Sequence, residues 1–115
     1  MEHIIDAKNQ TLGRLSSKIA GILQGKHEVG YDPKNPSDNK VIVKNVGQMK
    51  VTGRKAKGSG KIYYRHTGYM GHLRETTYEQ AFEKSPEWVL RHSVLGMLPK
   101  NRIRKNRIKN LIIEK

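Results

Sequence analysis

The sequence predicts an α/β fold, and three observations carry that prediction. The opening HIID, the run Val41-Ile42-Val43 and the closing LIIEK have the β-branched character of short strands. Between the first two lies a segment with apolar residues at helical spacing. Two strong helix starts, at Thr77 and Ser85, follow in the second half of the chain. The resulting order is strand, helix, strand, strand, helices and a last strand. It fits one α/β domain with a small sheet between helices.

Each element has its own justification. HIID reads as a strand with Ile4 and Ile5 expected to be buried. Thr11 is placed to cap a helix on which Leu12, Leu15, Ile19, Ile22 and Leu23 share a face. Gly25 stands where that helix should stop, and Lys18 and Lys26 near its end suit the helix dipole. GYDPKNPSDN, with its two prolines, is a loop. The unbroken Val41-Ile42-Val43 suggests a strand covered on both faces. MKVTG reads as a brief strand or turn, RKAKGSGK as a basic glycine-bearing loop, and KIYYRH as another strand.

The second half is more helical. Thr77 and Gln80 form a capping box before Tyr78, Ala81 and Phe82. Ser85-Pro86-Glu87 supplies a capping serine, a proline at the first helical position and an acid in the first turn. Val89, Leu90, Val94 and Met97 line one face of that helix, and Pro99 ends it. A basic segment follows at about residues 100–110. On a helical wheel Ile103, Ile108 and Leu111 make a rough stripe, while Arg102, Arg104, Lys105, Arg107 and Lys109 cover most of the rest.

The 115 residues suit one domain, 1–115, with a modest core, since only 35% are apolar. Charge is the loudest signal: 23 Lys and Arg stand against 10 Asp and Glu, a net of +13. The sign is also segregated. Lys40 to Arg74 holds nine basic residues and no acid, and Trp88 to Ile113 holds seven and no acid. Unpaired cations confer no folding stability, but they gain when phosphates supply the counter-charge and release condensed ions. Nucleic acid is therefore the expected partner. The 100–109 segment as a membrane-surface helix is disfavoured, because its apolar side is thin and lacks an aromatic residue.

Several other chemistries are not supported. There is no cysteine, so disulfides, thiolate metal sites and cysteine nucleophiles are excluded. No secretory signal is visible in MEHIIDAKNQ, and no apolar stretch approaches the roughly 20 residues of a membrane-spanning helix. A reducing, soluble compartment is expected. GRKAKGSGKIYY invites comparison with a nucleotide phosphate loop, but Lys55 stands where a glycine is needed and Ile62 follows Lys61. His3, His27, His66, His72 and His92 do not form a metal-ligand pair at helical spacing. No catalytic residue, metal, cofactor or small-molecule substrate is nominated. The readings from other classes, a nuclease or a free regulatory RNA-binding protein, rest on no positive motif.

YYRHTGYMGH, Tyr63 to His72, is the richest stretch: three tyrosines, an arginine, two histidines and two glycines without an acid. In a strand Tyr63 and Tyr64 point to opposite faces, so both rings can belong to the core, or one can meet a partner. Exposed aromatic and guanidinium planes suit stacking on unpaired bases, and Gly68 and Gly71 let backbone approach phosphate. Arg65, His66 and Thr67 add donors for phosphate and ribose oxygens.

Four blocks resemble one family. They are IIDAKNQTLGRLSSKIAGIL, VIVKNVGQMKVTGRK, KIYYRHTGYMG and VLGMLPKN, in that order and over nearly the whole chain. Together they are similar to the large-subunit ribosomal protein thirteen family in its bacterial and organellar form. One element departs from the pattern: where a leucine-glycine-arginine motif is usual, this chain reads NRIRKNRIKN, with Ile103 for the leucine and Arg104 for the glycine.

The resemblance implies a three-layer α/β/α domain with a central sheet of about four strands. It implies a structural role in the large ribosomal subunit, in cytoplasm or organelle, with early subunit assembly, the large-subunit ribosomal RNA and neighbouring large-subunit ribosomal proteins as context. Carried onto this sequence, the RNA-facing residues are Arg14, Lys44, Arg54, Lys55, Lys61, Tyr64, Arg65, His66, Thr67, Gly68 and Lys100, with Asn45 and Thr52 shaping turns. The acid-free windows add Lys57, Arg102, Arg104, Lys105 and Arg107 as phosphate-neutralising candidates.

Overall fold

Alternation of apolar and polar residues places one face of a small parallel sheet against the helices. In the computed structural model, which describes residues 2–30, 32, 34, 38–51, 62–66, 68–71 and 73–114, strand β1 is Glu2–Asp6, β2 is Lys40–Lys44 and β5 is Leu111–Ile113. They pair in the order β1-β2-β5, all parallel. Parallel neighbours need a crossover. Helix α1, Leu12–Gln24, makes the first, and α3, Pro86–Met97, and α4, Arg104–Lys109, lie on the second. Ile5, Val41, Val43 and Leu111 are buried and join Leu15, Ile19, Leu23, Leu90 and Val94 in one core cluster. Each such side chain contributes about 1.5–3 kcal/mol when fully buried.

The other sheet face differs from expectation. Ile4 is opposite Ile42, and Ile42 is opposite Ile112, so three isoleucines form a row across the strands. Ile4 is 67% exposed and Ile112 42%, with Ile42 half-buried. The expected burial of Ile4, and of β2 on both faces, does not hold. The contiguous branched run reads as two-sided burial in sequence, but its middle residue points away from the helices.

Local signals hold at most helix ends. Gly25 ends α1 with φ 73, and its N–H donates to the carbonyls of Gly21 and Ile22. Thr77 starts α2, Tyr78–Lys84, with the full capping box: its Oγ1 accepts from the Gln80 N–H and its N–H donates to Gln80 Oε1, both at 3.3 Å. Ser85 caps α3 by accepting from the Trp88 N–H at 3.3 Å. Thr11 occupies the N-cap position of α1, yet its hydroxyl makes no cap bond. Its backbone is drawn instead into a parallel bridge with Lys50: Leu12 N–H donates to the Lys50 carbonyl, and Lys50 N–H to that of Gln10.

The α/β class stands, and the described strands number five, divided between two sheets. The second sheet is a hairpin of β3, Ile62–His66, and β4, Leu73–Thr77, with Tyr63 opposite Thr76 and Arg65 opposite Arg74. Nothing in the local sequence predicts β4. LRETT has no alternation of apolar residues, and its extended form depends on the backbone partner that β3 provides.

Candidate nucleic-acid interface

The hairpin sends its two tyrosines to opposite faces, so both rings do not belong to the core. Tyr63 turns toward α3, where its ring meets Trp88 edge-on at 5.0 Å and His92 at 5.2 Å. Tyr64, one residue on, faces the other way and is 61% exposed. Burial pushes the Tyr63 phenol up, and pushes Tyr78, also close to Tyr63, up to about 12. Both therefore remain neutral, as weakly polar aromatic surfaces, at ordinary pH.

Arg65 and His66 are exposed on the same strand. The His66 Nδ1 accepts from the Gly68 N–H at 2.9 Å, and between β3 and β4 Gly68 takes φ 91 and Gly71 φ 75. A side chain at either position would be strained. This part of the tyrosine-rich stretch is therefore an exposed, basic, sharply turned surface. Thr67 and the basic loop with Arg54, Lys55, Lys57 and Lys61, together with Gly53, Gly58 and the turn residue Thr52, lie outside the described residues.

Arg14 joins this region from α1. It borders a groove of about 790 Å³ together with Tyr63, Tyr78 and His92. A second groove, of about 890 Å³, runs between the hairpin and α3. Lys44, Lys100, Arg102, Arg104 and Lys105 line neither groove. Lys100, Arg102 and Lys105 are exposed around the start of α4, with Arg104 half-buried. Lys44 ends β2 and approaches Glu114 at 4.0 Å, forming an ion pair. An exposed pair at that distance contributes little. Among the described residues, the surface cations thus have almost no acid partners.

Neighbouring Asn45 shapes its turn as expected, with φ 59. Asn is among the few residues that tolerate this left-handed backbone. No group of three or more His, Cys, Asp or Glu able to hold a metal occurs among the described residues. No described helix is long and apolar enough to cross a membrane.

The family model described as "Ribosomal protein L13" matches residues 1–113. The chain belongs to the ribosomal protein L13 family. It is 46% identical over 111 residues to the large ribosomal subunit protein uL13 of Staphylococcus carnosus, covering 96% of this chain and 75% of that one. Against uL13 of Chlamydia abortus the identity is 43% over 113 residues, 98% of this chain and 74% of the relative. Against uL13 of Alkalilimnicola ehrlichii it is 42% over 109 residues, 95% and 75%.

The family's blocks map onto the described structure as β1 with α1, β2 with its following turn, β3, and the end of α3. One candidate is displaced. Arg107 is 1% exposed, inside α4, so its guanidinium faces the interior and not the solvent as the helical wheel suggests. The wheel places Arg107 on the basic side. The short helix is instead rotated so that Arg107 points inward and Ile108 is only half-buried.

Sequence reasoning also misses Trp88, His92 and Arg74 as surface chemistry. Trp88 and His92 are four residues apart on a helix, the spacing that stacks side chains. That signal is legible. The position of Arg74 is not, because it depends on the unpredicted β4.

Proposed function

We propose that this chain is a structural constituent of the large ribosomal subunit that binds the large-subunit ribosomal RNA and supports early subunit assembly and translation. It acts without catalysis. Its place is the large ribosomal subunit in the cytoplasm, and its protein partners are neighbouring large-subunit ribosomal proteins. The observation that carries this reading is family membership across residues 1–113. The exposed cations, which have almost no acid partners among the described residues, support it with a mechanism.

In that mechanism lysine and arginine side chains neutralise phosphates where RNA segments converge. Recognition is of backbone and shape, with little reading of base edges. Arg14, Tyr64, Arg65, His66, Gly68, Lys100, Arg102, Arg104 and Lys105 are the contact residues on described elements. Lys44 stands at the end of β2, and Arg54, Lys55, Lys57, Lys61 and Thr67 complete the set from the sequence. Arg107 leaves it. The body is one domain, with the 100–110 segment as a basic extension of its surface.

Sedimentation of cell extract through a sucrose gradient tests the assignment. The protein is expected in the large-subunit fraction, and its absence there would end this reading. Binding of the purified chain to large-subunit RNA should weaken steeply with salt, by about 0.7–0.9 log units per log unit of salt for each phosphate neutralised. Arg65→Glu combined with Lys61→Glu should weaken RNA binding and leave thermal stability nearly unchanged. Equal loss of both would return these residues to a structural role.

A further inference from the structure

We infer that the groove between α3 and the β3–β4 hairpin is a subsite for one unpaired RNA nucleotide, with Trp88 stacking the base and Arg65 and Arg74 flanking its phosphate. The inference rests on the RNA-binding reading above and extends it to Trp88 and Arg74, which lie outside that contact set.

The first observation is a preassembled aromatic platform. Trp88 and His92 lie one turn apart on α3 and stack at 4.9 Å with 17° between planes. Tyr63 braces both rings edge-on from β3. Three rings that support one another in this way lose little freedom when a ligand arrives. Yet Trp88 is 45% exposed, and its indole borders the groove of about 890 Å³. A large aromatic surface held rigid and wet is suited to a flat apolar ligand. Every nucleobase presents such a face, and stacking on it does not depend on base identity.

The second observation is independent and electrostatic. Arg65 and Arg74 are directly opposite each other across the hairpin. Like charges in that position destabilise a strand pair. Alternation puts them on the same hairpin face as Tyr63 and Thr76. Both arginines and Lys84 border the groove, against a single acid, Glu75, which pairs with Tyr64 on the alternate face. An anion between the arginines would turn repulsion into attraction. Arg65 is two residues along β3 from Tyr63, about 7 Å. That is the scale separating a nucleobase from its own phosphate. Tyr63 in turn touches Trp88 at 5.0 Å, so the arginine pair adjoins the ring cluster that holds Trp88.

Trp88 is the only tryptophan in the chain, so indole emission reports on this site alone. The experiment titrates the full chain with a short oligo-adenylate, with inorganic polyphosphate and with adenosine monophosphate. Association of labelled oligomer is followed separately by anisotropy. Oligo-adenylate is expected to quench Trp88 saturably, while polyphosphate associates without quenching. Trp88→Leu should weaken oligomer binding by about 5- to 150-fold, the range for loss of one base stack. Arg74→Gln leaves the rings in place and should lower the salt slope by about 0.7.

Oligomer association with unchanged Trp88 emission would overturn the subsite and leave the RNA-binding reading standing. Quenching by polyphosphate to the same extent would overturn base stacking. Monophosphate binding as tight as the oligomer would overturn the assignment to an RNA segment. Failure of RNA to associate at all would remove both this inference and the RNA-binding reading.

Discussion

Asn45 Nδ2 donates a 3.0 Å hydrogen bond to Oδ1 of Asp6, joining the ends of two parallel strands whose residues are far apart in sequence. The same carboxylate oxygen accepts from the Lys8 N–H at 2.9 Å. The Ala7 N–H donates to the Lys44 carbonyl at 2.9 Å beside it. The chain leaves β1 and β2 through this one polar knot. Asn45 is suited to it twice over, since it accepts the left-handed backbone and supplies the side-chain donor.

The Asn45 amide first, and then the Lys8 N–H, hold the Asp6 carboxyl below its ordinary value of 3.8. The folded chain therefore favours the carboxylate more than the unfolded chain does. As pH falls, the unfolded state takes up this proton first. The contribution of Asp6 to stability is complete above pH 3.8 and is lost as pH falls through the lowered folded value. Thermal unfolding followed by circular dichroism from about pH 6 to about pH 2 checks this. The midpoint difference between the natural chain and Asp6→Asn should shrink over that acid range. A difference that stays constant would show that Asp6 makes no differential contribution.

Leu15→Ala should cost about 2–5 kcal/mol, because Leu15 is fully buried in the cluster that joins α1 to the sheet and α3. Denaturant unfolding measures this directly. RNA affinity, read at a temperature where the variant is folded, should be unaffected. A cost below about 1 kcal/mol would mean that the site collapses around the smaller side chain.

Arg107→Met should be neutral or should stabilise the fold by up to about 4 kcal/mol. The Nε and Nη2 atoms of Arg107 are buried with no hydrogen-bond partner among the described residues. Methionine has a similar length and needs no partner there. RNA affinity should be unchanged, in contrast to Arg65→Glu. A large loss of stability would reveal a partner for the guanidinium, and a loss of RNA affinity would return Arg107 to the interface.

Short-range chemistry makes much of this molecule legible in its sequence. Ser85-Pro86-Glu87, Thr77 with Gln80, and Gly25 mark helix ends through bonds that span only a few residues, and all three mark real ends in the fold. The surplus of cations is a property of composition and needs no fold to be seen. Which cations are outside is another matter. Arg107 and Lys105 are neighbours in a basic run, yet one is in the core and the other in water. Ile4 and Ile5 are separated in the same way by the pleat of β1. Strand β4 extends because β3 pairs with it, and Arg65 meets Arg74 only through that pairing. Burial and pairing are decided by which distant segment covers a given face. Local propensity holds no information about that neighbour, so tertiary packing alone could choose the outward residues and gather Trp88, His92 and two arginines around one groove.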